Sequence, residues 1–130
     1  MIGGGCTCGS VRVELSVERV RTSLCHCYDC KKRTGSAFGI QTRIEKTNFS
    51  TSGVTNTYSR TGDGGNEITF HFCPTCATTL FWFIPMFPDD VLVAAGIFEL
   101  SAFSSPVGSF YEDRVPEWLA LPDTITFRMD

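Results

Sequence analysis

Ile68-Thr69-Phe70-His71-Phe72-Cys73-Pro74-Thr75-Cys76 reads as a strand that runs directly into a tight two-cysteine turn. Ile68, Phe70 and Phe72 alternate with Thr69 and His71, the period-two pattern of a strand with one buried face. That pattern predicts an exposed, non-catalytic His71. Cys73 and Cys76 flank Pro74-Thr75, a spacing at which two thiolates share one ion at little loop-closure cost. A strand delivering its cysteines at a turn points to a β domain with metal-bearing turns.

Working outward, residues 61–66 (Thr-Gly-Asp-Gly-Gly-Asn) form a hairpin tip, joined to a strand near 54–60. Downstream, 80–84 and 91–97 read as more fully buried strands, separated by a turn over 85–90. Upstream, Val11, Val13, Leu15 and Val17 alternate with charged and polar residues, and Phe38, Ile40, Thr42 and Ile44 alternate likewise. Helix signals are few. Residues 29–34 fit one or two turns with Gly35 as a left-handed cap, and 99–104 another short turn. No repeat, linker or low-complexity stretch divides the chain. The expectation is a single, mainly β, antiparallel domain over residues 1–130 with little helix.

The chain has 130 residues, 42% of them hydrophobic and 11 of them Phe, enough for one sizeable core. With 11 Lys+Arg against 14 Asp+Glu and no basic run longer than Lys31-Lys32-Arg33, it lacks the broad positive face of a nucleic-acid binder. The N-terminal segment lacks the pattern of a secretory signal. No apolar stretch reaches the ~20 residues that span a bilayer. These features predict a soluble cytoplasmic protein.

Seven cysteines are odd in number and clustered, which suits chelation better than a disulfide framework in a reducing compartment. They divide as four plus three. Cys6/Cys8 and Cys73/Cys76 would together hold one structural zinc, pinning the N-terminal segment onto the central hairpin; Gly5 and Gly9 permit the sharper Cys-x-Cys turn. Cys25, Cys27 and Cys30 would hold a second zinc whose fourth position water, substrate or a neighbouring side chain could occupy. Lys31, Lys32 and Arg33 are read either as a solvated basic turn or as cations that lower thiolate pKa values and receive an anionic substrate. His26 should point away from an ion held by its two neighbours and pack instead. Trp82 is read as core.

The ordered motifs Gly5-Cys6-Thr7-Cys8-Gly9, Cys25-His26-Cys27-Tyr28-Asp29-Cys30-Lys31-Lys32-Arg33-Thr34-Gly35-Ser36-Ala37-Phe38 and Phe72-Cys73-Pro74-Thr75-Cys76 resemble the family of glutathione-dependent formaldehyde-activating enzyme and centromere protein V. The resemblance extends through Phe49…Gly53, Val93-Ala94-Ala95-Gly96 and Pro116-Glu117-Trp118-Leu119. It implies an Mss4-like β-tent of small antiparallel sheets. It also implies a structural zinc at Cys6, Cys8, Cys73 and Cys76 and a catalytic zinc at Cys25, Cys27 and Cys30. The family's named enzyme is a carbon–sulfur lyase/synthase joining formaldehyde and glutathione into S-hydroxymethylglutathione. Two departures spare the ligands: Thr7 stands where His is frequent, and Ala77 where Gly is commoner.

The leading expectation is a zinc enzyme acting on a small thiol such as glutathione or its aldehyde adduct, with the second zinc activating the thiol or polarising the aldehyde. Asp29, His26 and metal-bound hydroxide are the candidate bases. A non-catalytic zinc-stapled binding module is the alternative, and a thiol redox sensor a third.

Overall fold

The computed structural model describes all 130 residues. Eleven strands and one helix follow in the order β1 (Ile2–Gly5), β2 (Arg12–Leu15), β3 (Ser23–Cys25), α1 (Tyr28–Thr34), β4 (Gly39–Glu45), β5 (Phe49–Ser52), β6 (Asn56–Thr61), β7 (Glu67–Phe72), β8 (Thr79–Phe83), β9 (Asp90–Ala94), β10 (Gly108–Phe110) and β11 (Phe127–Met129). They build a three-stranded sheet, β1-β2-β5, and an eight-stranded one, β11-β10-β3-β4-β9-β8-β7-β6. The mainly β expectation holds. The purely antiparallel one does not, because β10 pairs in parallel with both β3 and β11.

The small sheet owes its place to alternation. Val11, Val13 and Leu15 are wholly buried while Arg12 and Glu14 face water. They pack with Ile44, Leu80, Phe81, Val91 and Val93 of the large sheet into one core. Burying each such side chain contributes ~1.5–3 kcal/mol relative to exposure. β1 reads as three glycines in a row and carries no strand signal. It forms by pairing antiparallel with β2, Ile2 to Leu15 through Gly5 to Arg12, and needs glycine because a Cβ on Gly4 would sit 2.5 Å from the Ile97 carbonyl oxygen.

The hairpin tip at 62–66 and the turn at 84–89 fall where the sequence places them. The helix also matches, and Gly35 closes it in the left-handed region (φ 66°, ψ 26°). Two readings need correction. The expected strand over 91–97 ends at Ala94 and continues as a 3₁₀ turn, Ala95–Ile97, which swings Ile97 onto β1. His71 is half-buried rather than exposed: its ring stacks on Phe81 (4.6 Å between centroids, 17° between planes) and its Nδ1 lies 3.0 Å from the Thr55 hydroxyl. The two faces of the large sheet differ at this point. Phe70 and Trp82 occupy one face, and His71 and Phe81 the core face.

Candidate functional site

Cys6 and Cys8 close the turn after β1, and Cys73 and Cys76 the turn after β7. The two turns are built alike. In each, the residue after the second cysteine has positive φ (Gly9 80°, Ala77 66°), and its N–H returns to the first cysteine's carbonyl (3.0 and 2.8 Å). The next residue but one after each pair is a hydroxyl. Ser10 Oγ lies 3.1 Å from Cys8 Sγ and 3.3 Å from Cys73 Sγ, and Thr78 Oγ1 lies 3.3 Å from Cys76 Sγ. Backbone N–H groups of Val11 and Thr75 donate to the sulfurs of Cys6 and Cys73 at 3.3 and 3.4 Å. These donors favour thiolate. The Thr78 hydroxyl and N–H hold Cys76 down to about 5, and the Ser10 hydroxyl holds Cys73 down to about 7. The sequence reading overlooked Ser10 and Thr78; the signal was a hydroxyl two residues after each cysteine pair.

All four sulfurs lie within 4.8 Å of one another, with Cys6–Cys8 and Cys8–Cys73 each 3.6 Å apart. A tetrahedron with Zn–S bonds of about 2.3 Å has S···S edges of about 3.8 Å. The cluster therefore fits zinc in size, donor type and thiolate support.

The other three cysteines gather at the end of β3 and the start of α1. Cys27 is the helix N-cap, and its sulfur accepts from the Cys30 N–H at 3.3 Å. The trio's sulfurs also lie within 4.8 Å of one another. Hydrogen bonds from the Cys25 and Cys30 thiols push Cys27 down to about 2, and sharing with Cys27 pushes Cys25 up. This cluster too is compatible with a metal, and no His, Asp or Glu joins it as a fourth ligand.

The open side of the trio meets a groove of about 850 Å³ on the large sheet's second face, within the usual size range of small-molecule sites. Its walls include Ile68, Phe70, Trp82, Leu92 and Phe110, and its cations are Arg21, Arg43 and Arg60. Trp82 is thus both core, as expected, and wall. Lys31, Lys32 and Arg33 are not part of the wall. Lys31 donates to the Arg114 carbonyl, Lys32 is exposed, and Arg33 stacks 4.5 Å from the Trp82 ring centre. Of the two readings of this turn, the solvated one fits Lys32, while Arg33 reaches back beside Cys30: its Nη2 and the Cys30 Cβ lie 2.8 and 3.5 Å from where a Gly39 Cβ would stand.

His26 is fully buried, with Nε2 3.1 Å from the Ser109 hydroxyl, a packed residue as expected. Asp29 pairs with Arg60 at 3.3 Å. Neither lines the groove, but Tyr111 does. Tyr111 holds a left-handed backbone (φ 59°, ψ 50°), costly for a bulky side chain and typical of positions that function over-determines. Burial, then the charges of Asp63, Cys27 and Cys25, raise its phenol pKa.

The sequence profile of the glutathione-dependent formaldehyde-activating enzyme family matches residues 1–114. The chain belongs to that family. Among curated proteins none matches it. Its fold is similar to the crystal structure of a Rhodobacter sphaeroides protein solved as a structural-genomics target, with TM-score 0.60, 17% identity, and 99% and 100% of the two chains covered. That likeness bears on fold alone. Membership of the family supports glutathione-dependent formaldehyde activation at the family level. No helix of the chain is long and apolar enough to cross a membrane.

Proposed function

We propose that the chain is a zinc-dependent carbon–sulfur lyase/synthase that makes or breaks thiol–aldehyde adducts such as S-hydroxymethylglutathione. Cys6, Cys8, Cys73 and Cys76 hold its structural zinc, and Cys25, Cys27 and Cys30 hold its catalytic one. The observation that carries this reading is the asymmetry of the two clusters. The first has four sulfurs; the second has three and faces a small-molecule groove.

Zinc at the trio supplies thiol activation and Lewis acidity at that open position. The chain's own residues do the rest. The apolar wall of Phe70, Trp82 and Leu92 excludes water and strengthens every charge interaction beside it. In the synthetic direction the thiol loses its proton to solvent. Its sulfur lone pair forms the C–S bond as the C=O π pair moves onto oxygen. Tyr111, kept protonated at neutral pH, gives its phenolic proton to that oxygen and regains one from water. Cleavage is the reverse. Arg114 lies 4.8 Å from the Tyr111 ring centre and is paired with Asp63, and this holds the ring in place.

Cobalt substitution followed by thiol titration tests the open site. Glutathione should perturb the visible spectrum of one of two cobalt ions, and exchange spectroscopy should show formaldehyde–glutathione equilibration accelerated by the zinc-loaded protein. Tyr111→Phe should slow that exchange about 100-fold and leave thiol binding intact. A spectrum indifferent to every thiol means the fourth position is filled, and the zinc-stapled binding module replaces the enzyme.

A further inference from the structure

Arg33 is a cation without a counter-ion. No ion pair of the chain includes it, and its buried Nε and Nη2 have no hydrogen-bond partner. Its guanidinium carbon lies 4.5 Å from the Trp82 ring centre and 5.6 Å from that of Phe70. Aromatic faces offset only part of the cost of withdrawing a charge from water. Arg60, which also stacks on Phe70, is matched by Asp29. Arg33 has no such carboxylate.

What stands beside it is the trio. Gly39 pairs with Cys25 across β3 and β4, and the space where its side chain would be is bordered by Arg33 Nη2 and Cys30 Cβ. Three thiolates around a zinc ion leave one negative charge, which one guanidinium matches. The two clusters also differ in how their sulfurs are supported. The hydroxyls of Ser10 and Thr78 and the N–H groups of Val11 and Thr75 serve the four-sulfur cluster. The trio has the Cys30 N–H and no hydroxyl.

We infer that Arg33 is the counter-ion of the metal–thiolate centre at Cys25, Cys27 and Cys30, and that it suits the open position to an anionic thiolate over a neutral ligand. This rests on the reading that the trio holds zinc. With Arg33 beside it, the centre accepts a fourth thiolate and reaches a single net negative charge; without Arg33 it would reach two. Unit charges about 8 Å apart at an effective dielectric of about 20 shift an equilibrium by more than tenfold. The same balance separates substrate from product. Glutathione enters as a thiolate, whereas the sulfur of its hydroxymethyl adduct is a neutral thioether. Arg33 touches no reacting atom and acts through its charge. Gly39 is its seat: a Cβ there would meet Arg33 Nη2 at 2.8 Å, but Cys30 Cβ at an ordinary contact distance of 3.5 Å.

The test removes the cation in two ways. Arg33→Met keeps an aliphatic stem on Trp82 and deletes the charge, while Gly39→Ala keeps the charge and displaces the guanidinium. Zinc release to a chelator is followed first, the trio's phase being the one that Cys27→Ser lacks. Each variant should give up the trio's zinc at least about tenfold more readily than the parent and hold the other zinc unchanged. The cobalt-loaded proteins are then titrated with mercaptoethanol, whose charge when bound lies on its sulfur, and with imidazole, which binds neutral. Both variants should bind mercaptoethanol about tenfold more weakly, and imidazole within about twofold of the parent. If Arg33→Met does not fold, Gly39→Ala carries both readings. Unchanged zinc retention in a folded variant, equal loss at both clusters, or equal weakening of both ligands would overturn the inference and leave Arg33 a packing residue of α1. A parent silent to every thiol, whose trio still loses zinc in the variants, defeats the enzyme and spares the counter-ion. Thiol binding that is the same in parent and variants does the opposite.

Discussion

Ala77 occupies the position that Gly9 fills in the sister turn, yet it carries a Cβ at φ 66°. Left-handed backbone costs a non-glycine residue ~1–2 kcal/mol, partly offset by the greater unfolded-state freedom of glycine. Ala77→Gly is therefore expected to stabilise the zinc-loaded protein by about 0.5–1 kcal/mol, a rise in Tm of about 2–4 °C in a thermal melt. His71 gives a second expectation at this scale. Burial lowers its pKa below the ordinary 6.5, so the unfolded chain binds the proton more readily than the folded one. Stability is then kept above pH 6.5 and lost progressively as pH falls from 6.5 towards the folded value. His71→Phe loses the Thr55 contact and should melt lower near neutral pH. Its Tm should fall less steeply than the parent's as the buffer is taken into the acid range. Parallel slopes for the two proteins would show that acid sensitivity lies elsewhere, in the thiolates.

β1 is the element whose formation depends most on what it touches. A Cβ on Gly4 would meet the Ile97 carbonyl oxygen at 2.5 Å and the Phe98 ring at 2.6 Å, whereas one on Gly3 would meet only the Arg12 side chain at 3.4 Å. Gly4→Ala should cost about 1–3 kcal/mol by overpacking, read from the urea midpoint, while Gly3→Ala changes it little. Equal shifts would mean that backbone propensity, not the approach of the 3₁₀ turn, governs the strand. α1 shows the complementary case. Its N-cap sulfur and Gly35 cap are local features, so seven residues suffice to form it.

Across the molecule, the first cluster joins turns 65 residues apart, Cys8 to Cys73, while the trio spans a few consecutive residues. Metal-binding energy at the first is folding energy, because it closes a long loop. We expect about two zinc ions per chain by elemental analysis of protein purified without chelator. Cys73→Ser should lose one of them together with the cooperative melt. Cys27→Ser should lose one and keep the melt. Comparable collapse of both variants would place structural weight on the trio as well. The pairing also explains the layout of the molecule. One face of the large sheet meets the small sheet, and the other is left for the groove.

The cysteine spacing by itself determined the three short-spaced groups, because residues two or three apart on a turn hold their sulfurs close, and the fold brings Cys6/Cys8 to Cys73/Cys76. Alternation determined Val11, Val13 and Leu15 as core, and Gly35 determined the end of the helix. These are local rules, acting over a few residues. What only the tertiary structure decided depends on partners distant in the chain. His71 is covered because it shares the face of Phe81 that packs into the core, while Phe70 and Trp82 look onto the groove. β1 exists because β2 pairs with it, and Ile97 approaches so closely that Gly4 admits no side chain. The parallel strand β10 and the wall of Arg21, Tyr111, Leu92 and Trp82 are assembled from segments no sequence window contains. The two readings of the basic turn beside Cys30, solvated or acting on the site, could not be told apart for the same reason. Adjacency in sequence says nothing about which way a helix faces.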